Sequence, residues 1–187
     1  MRQTAKALLR ALFSLIAFPL AAVCGFGRIQ AIYTMGAHLC ALAPGIAGDY
    51  LRVAFYRMTL EECSYAARIS FGTYFAHREA RVAAGVYIGS YCVMGKVEIG
   101  PRTQIASGVQ ILSGSRQHQR DAMGQIEGAE HGVFQTVSVG ADCWIGAAAV
   151  IMADIGAGAT VGAGSIVTKP VDSGVVVAGN PARVLKS

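Results

Sequence analysis

A chain of 187 residues with 53% hydrophobic and only 14% charged side chains is long enough for one domain with a buried core and too apolar to be disordered. Its 23 glycines follow no Gly-X-Y period and its 5 prolines are few, which excludes collagen and proline-rich linkers. The net charge of +5 lies wholly in residues 1–60, where six bases face one acid, while residues 61–187 balance. Bases beside apolar runs suit an anionic membrane surface better than a nucleic-acid groove, which would need a basic face on the folded domain.

Residues 1–60 read as an apolar, basic, helical region for membrane association. Ala11 to Gly27 carries no charge and Ile29 to Gly48 no ionised residue when His38 is neutral. Each approaches the ~20 apolar residues that cross a hydrocarbon core. Pro19 is expected to interrupt the first run and Pro44-Gly45 to end the second. The small residues before Cys24 imitate a lipoprotein signal, but Val23 stands where that signal wants a small side chain. Tyr50 to Met58 reads as a short amphipathic helix suited to the headgroup layer. The plainer alternative is that these helices cap the following domain and bury their apolar faces against it or a sister subunit.

The five cysteines, Cys24, Cys40, Cys63, Cys92 and Cys143, are scattered and never form C-x-x-C. They give neither a disulfide framework nor a zinc site, and they fit a reducing compartment.

From Val82 onward aliphatic residues recur every six positions in four triplets: Val82, Ile88, Met94; Ile99, Ile105, Ile111; Val139, Ile145, Ile151; Ile155, Val161, Val167. Seven of these twelve are followed by glycine. A period of six fits neither an amphipathic helix nor a hairpin strand; it fits a parallel β-helix in which three hexads close a triangular coil. At eighteen residues per coil, Ala67 to Ile111 supplies about two and a half coils and Val137 to Val177 a little over two. The stretch Gly156 to Gly162 imitates a dinucleotide fingerprint, yet its last spacing is one residue too long and no βαβ unit surrounds it.

This repeat resembles that of the left-handed β-helix acyltransferases, the hexapeptide-repeat family that includes maltose, galactoside and xenobiotic acetyltransferases and polysaccharide O-acetyltransferases. The resemblance covers roughly Arg68 to Ser187. It implies an all-β solenoid over residues 61–187, left-handed in its winding, and a homotrimer with active sites between adjacent prisms.

The hexads stop between Ile111 and Val139, and residues 112–136 form a polar excursion of the kind that carries function. The resemblance makes His118 the general base. An imidazole titrates near neutrality and can take the proton of an attacking alcohol while backbone N–H groups steady the oxyanion. Asp121, Glu127 and Glu130 are the acids that could fix its tautomer. Arg116-Gln117 looks like an insertion relative to the family pattern, which leaves His131 as the reserve base.

The last coils resemble the acetyl-CoA side of the family. Trp144-Ile145-Gly146-Ala147 matches a repeat whose backbone at the position of Ala147 binds the pantetheine arm. Val161 to Lys169 matches the segment whose Ala163, Thr168 and Lys169 contact the cofactor. Gly179-Asn180-Pro181-Ala182-Arg183 matches the tail that brings Arg183 to the phosphates, with Lys186 a second basic position. The acceptor-binding asparagine usual in sugar acetyltransferases is missing from Gly89-Ser90-Tyr91-Cys92, so the acceptor is not carried over.

The resulting expectation is an acetyl-CoA-dependent O-acetyltransferase acting on a sugar hydroxyl of a glycan or lipid-linked saccharide at the cytoplasmic side of the inner membrane, with no metal. Arg2, Lys6 and Arg10 favour a cytoplasmic N-terminus, and the apolar segment must then enter and return. The alternatives are N-acetylation of an amino sugar, a catalytically silent β-helix scaffold, and a zinc hydratase using His77, His118 and His131, whose spacing is poor for one metal.

Overall fold

A hexad is just long enough for a two-residue strand and a tight corner, and the fold repeats that unit. The structure, a computed structural model, describes residues 2–114, 118, 120–128 and 132–186, with the backbone alone for Arg2, Gln3 and Lys186. The first coil consists of β1 (Glu62–Cys63), β2 (Arg68–Ile69) and β3 (Tyr74–Phe75), and the second of β4 (Arg81–Val82), β5 (Tyr87–Ile88) and β6 (Val93–Met94). The third has β7 (Val97–Ile99), β8 (Gln104–Ile105) and β9 (Gln110–Ile111), and the fourth β10 (Val137–Val139), β11 (Trp144–Ile145) and β12 (Val150–Ile151). Then come β13 (Thr160–Val161), β14 (Ile166–Val167), β15 (Val176–Gly179) and β16 (Ala182–Lys186). The result is a left-handed parallel β-helix of about six turns.

Parallel pairing builds three flat sides: β1-β4-β7-β10, extended by bridges at Ile155 and Val171; β2-β5-β8-β11-β13-β15, edged by antiparallel β16; and β3-β6-β9-β12-β14. We call these the first, second and third sides. In register, Ile69, Ile88, Ile105, Ile145, Val161 and Val177 stack along the axis, each fully or almost fully buried. Glycine after the stacked residue is forced by proximity: a Cβ on Gly146 would lie 2.4 Å from the backbone nitrogen of Ala163 in the next coil.

Two of the three corners keep the six-residue step throughout. The corner from the third side back to the first does not. It takes seven residues from Phe75 to Val82, five from Met94 to Ile99, four from Ile151 to Ile155 and from Val167 to Val171, and 28 from Ile111 to Val139. Coils are thus not uniformly eighteen residues long, and the first begins at Glu62 rather than Ala67.

Three helices cap the open end: α1 (Arg2–Val23), α2 (Gln30–Ala41) and α3 (Gly45–Thr59). Stacked and edge-on rings lead from the cap into the first coil, with centroids 6.1 Å apart for Tyr33–Phe55, 5.4 Å for Phe55–Tyr56 and 4.9 Å for Tyr56–Phe75. The Tyr33 hydroxyl donates to the Phe75 carbonyl (3.0 Å), and the Phe75 N–H donates to the Tyr56 hydroxyl (3.2 Å). Burial pushes both phenols well above their usual range.

Arg52, 0% exposed, is the polar hub of the cap. It donates to the carbonyls of Ile69 (2.8 Å), Cys40 (3.1 Å), Ala41 (3.3 Å) and Ala43 (2.7 Å) and to Asp49 Oδ1 (2.7 Å). The end of α2 exposes carbonyls that lack helical partners, and this guanidinium satisfies them and ties α2, α3 and β2 together. All five cysteines are free and buried; burial raises the Cys40 and Cys63 thiols to about 12.

Three expectations for this region are corrected. The first helix is not stopped by Pro19, which lies exposed inside α1; the opposite face, with Ala17, Ala21 and Cys24 buried, keeps the helix packed until Val23. There the chain reverses through Gly25, Phe26 and Gly27, all at positive φ, and a Cβ on Gly27 would sit 2.4 Å from the Thr59 carbonyl oxygen. Ile29 to Gly48 is not one long apolar segment, because α2 has only 12 residues, too few to cross a bilayer. Tyr50 to Met58 does not lie ready for a headgroup layer: Val53, Ala54, Phe55 and Tyr56 are buried, and α3 serves as the lid of the solenoid. Thr4–Val23 alone among the described residues is long and apolar enough to cross a membrane.

Candidate active site

The irregular corner sets the stage for chemistry. The feet of the 112–136 excursion are fastened: Leu112 N–H donates to the Ile151 carbonyl of the next coil (2.9 Å), Gln135 N–H joins one foot to the other at the Ser113 carbonyl (3.0 Å), and Val137 N–H, just past the excursion, donates to the Lys96 carbonyl (3.0 Å). Farther out, Arg120 and Ile126 form an antiparallel bridge. Asp121 closes the turn between them, its Oδ1 accepting from the N–H groups of Met123 (2.8 Å) and Gln125 (2.9 Å), while Arg120 Nη1 donates to the Gly124 carbonyl (2.7 Å). His118 precedes this hairpin and is exposed, so its ring is open to a substrate.

Of the acids named for tautomer control, Asp121 has one oxygen committed to the turn. Glu127 is half-buried. Glu130 and the reserve base His131 lie outside the described residues, as do Ser115, Arg116, Gln117 and Gln119.

Beneath the excursion the same corner gathers three side chains that sequence reasoning did not join. The His77 ring lies 5.2 Å from that of Phe134, and Lys96 Nζ lies 6.0 Å from the Phe134 centroid. Burial and then the Lys96 charge lower the His77 pKa, against Glu79. The imidazole is thereby held neutral where it supports the returning strand of the loop. Its neighbours Glu79, Lys96 and Phe134 come from successive passes of the chain through this corner. Among the described residues no group of three or more His, Cys, Asp or Glu side chains could hold a metal.

The residues assigned to the cofactor are spread over two corners and one side of the prism. Ala147 and Ala163, both exposed, occupy adjacent coils where the second side turns into the third, and the Ala147 carbonyl accepts from Gly164 N–H (2.8 Å). Their methyl groups leave the backbone open to an extended, amide-bearing chain. Trp144 stands 62% exposed on the second side, between Gln104 and Thr160 of the neighbouring coils. Thr168 and Lys169, also exposed, follow β14 at the irregular corner, on the side of the prism from which the excursion leaves. Four residues lie between Ala163 and Thr168, a span of at most about 17 Å. Arg183 is exposed on β16, opposite Ala178 of β15; the Lys186 backbone pairs with Val176, and its side chain lies outside the described part. One chain thus presents small residues on one corner, Lys169 and the histidine at another and Arg183 on the edge strand of the second side, rather than a single enclosed cluster.

No protein-family model matches the chain, and no curated protein matches it. Solved structures do. A hexapeptide-repeat-containing acetyltransferase from Vibrio cholerae superimposes with a TM-score of 0.68 at 21% identity, over 89% of this chain and 93% of that one. A maltose O-acetyltransferase from Clostridium difficile gives 0.63 at 22% identity, over 83% and 88%. The N-acyltransferase AntD from Bacillus cereus, as a mutant in complex with dTDP-4-amino-4,6-dideoxyglucose and coenzyme A, gives 0.51 at 17% identity, over 68% and 84%. The chain therefore has the left-handed β-helix fold seen in these hexapeptide-repeat transferases, with three helices closing its first coil.

Proposed function

We propose that the protein is an acyltransferase that moves an acetyl group from acetyl-CoA to a sugar hydroxyl of a glycan or lipid-linked saccharide, with His118 as general base. The observation that carries this reading is the exposed histidine on the one long excursion of the solenoid. In the mechanism, neutral His118 accepts the proton of the acceptor hydroxyl as that oxygen bonds to the thioester carbonyl carbon. The tetrahedral oxyanion collapses by breaking the carbon–sulfur bond, and the imidazolium returns the proton to the departing thiolate. No acyl-enzyme forms.

Ala147 and Ala163 would admit the pantetheine arm against the backbone, Trp144 would flank it, and Thr168, Lys169, Arg183 and Lys186 would receive the nucleotide and its phosphates. Their dispersal over one prism supports a homotrimer, since a groove between prisms brings together residues of two protomers. Coenzyme A and a nucleotide-linked sugar bound to AntD support an acyl-CoA donor and a saccharide acceptor.

Membrane association belongs to the same reading. The outward face of α1 displays Leu8, Leu12, Leu15 and Ile16, with Leu15 74% exposed. Its other face is fixed to the protein by the Phe13–Tyr50 stack (5.7 Å) and the Ser14–Tyr65 hydrogen bond (3.0 Å). A helix held along its length in this way lies in the plane of the interface at the cytoplasmic side of the inner membrane, and no crossing separates the enzyme from cytosolic acyl-CoA.

Replacing His118 with Ala is expected to lower acetyl transfer by about 10²–10⁴-fold while calorimetry still finds acetyl-CoA bound. Unchanged turnover eliminates His118 as the base, and absence of acetyl-CoA binding by the wild type leaves a silent scaffold. The likeness to AntD also favours an amine acceptor as a second reading, because the same base serves an amine. Matched amino and hydroxy sugars, compared by thiol release, separate the two.

A further inference from the structure

A cavity of about 370 Å³ opens between α1, α3 and the turn from β1 to β2, within the size range of small-molecule sites. Val53, Ala54 and Ala67 make its walls apolar, and Lys6, Arg10 and Arg68 give it positive charge. Its single carboxylate, Asp49, is already taken by Arg52 (2.7 Å) and Arg68 (2.8 Å). Among the described residues neither Lys6 nor Arg10 has an ion pair. The Nε of Arg10 is buried with no hydrogen-bond partner, a state that costs free energy unless an acceptor meets it. The Arg10 guanidinium also sits over the Tyr65 ring at 5.8 Å, and that of Arg57 over the same ring at 5.5 Å. Two guanidinium groups are thus concentrated on one aromatic side chain beside the cavity, without a carboxylate to offset them.

Position relative to the apolar face of α1 identifies the ligand. At 100° per residue, Leu8, Leu12 and Leu15 point away from the side that carries Lys6 and Arg10. With that apolar stripe seated at the acyl boundary, one helix diameter of about 10 Å raises Lys6 and Arg10 to the level of the lipid phosphates. Ile46, 72% exposed, lines the same cavity and offers an apolar edge toward the bilayer.

We infer that this cavity holds the phosphate headgroup of an anionic membrane lipid, with Lys6 and Arg10 binding the phosphate and the apolar walls covering the glycerol end. The site rests on the reading of α1 as an interfacial helix and is separate from the acyl-transfer residues.

The test is vesicle binding by the full chain, comparing phosphatidylcholine alone with phosphatidylcholine containing phosphatidylglycerol. The wild type is expected to prefer the anionic vesicles by at least tenfold. Each of Lys6 and Arg10, replaced by Gln, should cost roughly fivefold on anionic vesicles, the worth of one basic residue near a charged surface. Lys6→Gln leaves the stacking of Arg10 on Tyr65 in place and keeps the test valid if the Arg10→Gln variant folds poorly. Ala66→Phe, which fills the cavity without changing charge, should abolish the preference. Arg81→Gln with Arg102→Gln removes two charges from the solenoid and should keep it.

An Ala66→Phe variant that retains the full preference overturns the pocket in favour of diffuse attraction, as does an equal loss in the Arg81/Arg102 pair. Equal wild-type binding to both vesicles overturns the headgroup site while the interfacial helix stands, and binding to neither overturns both. Competition by glycerol phosphate with no vesicle preference marks a soluble phosphate site and overturns the lipid assignment.

Discussion

Along the solenoid axis one contact is made again and again, Ile69 on Ile88, Ile88 on Ile105, Ile105 on Ile145, whereas the cap is held by contacts that occur once. Its aromatic ladder has four different members, and a single buried guanidinium serves the end of α2, the side of α3 and the edge of β2. Distributed, repeated packing tolerates a local defect, since each coil rests chiefly on its neighbours. A hub does not, because removing it strands every group it served.

Arg52→Met is accordingly expected to give the largest loss, about 3–5 kcal/mol, the usual range when one partner of a buried ion pair is removed. Amide exchange should rise across α2 and α3 first, with the strands of the third and fourth coils still protected. Equal loss of protection in both regions breaks the comparison and makes cap and solenoid one cooperative unit. Ile105→Ala, in the middle of the stack, is expected to cost about 3 kcal/mol through lost burial and the cavity left behind, with exchange rising in its own and adjacent coils but not in the helices.

The same contrast explains what was legible in the sequence. The four hexad triplets from Val82 to Val167 coincide with one coil each, because an inward position recurring every six residues is a local rule that needs no tertiary knowledge. The coil before them was harder to read: Cys63 and Phe75 hold the aliphatic positions, so the pattern weakens where the solenoid meets the helices. In the cap the rule fails altogether. Arg52 and Arg57 look alike in sequence, five residues apart on α3, yet the first is wholly buried and the second faces solvent. The carbonyls of Cys40, Ala41, Ala43 and Ile69 decide that, and they converge on Arg52 only once α2, α3 and β2 are packed. His118 stood out because the hexads stop around it. The Lys6–Arg10 cavity left no such signal, since its other walls come from α3 and from the turn after β1.

A second contrast lies within the cap, between the buried and bare faces of α1. Leu12→Ser combined with Leu15→Ser, both on the bare face, should change folding stability by no more than about 0.5 kcal/mol. Binding to phosphatidylcholine vesicles should fall roughly tenfold through lost apolar insertion. A soluble chain with unaltered vesicle binding but lower stability reverses the assignment and makes that face a contact with another subunit.

The smallest expected effect tests the uneven corner against the regular ones. His77 has a pKa below the ordinary 6.5 because burial and Lys96 oppose its charge. Above that value the ring is neutral in both folded and unfolded chains and adds no pH dependence. As pH falls through 6.5 the unfolded chain takes up a proton that the folded chain resists, so stability declines on acidification until the folded-state value is reached. The window between neutrality and about pH 5 lies above the ordinary carboxylate range, so urea midpoints measured there report the histidines. His77→Gln should flatten the slope. Lys96→Met should shift the decline to lower stability cost by easing protonation of His77. A slope that survives His77→Gln intact means that the corner beneath the excursion does not resist protonation, and that the ring contact with Phe134 holds the loop whether or not the imidazole is charged.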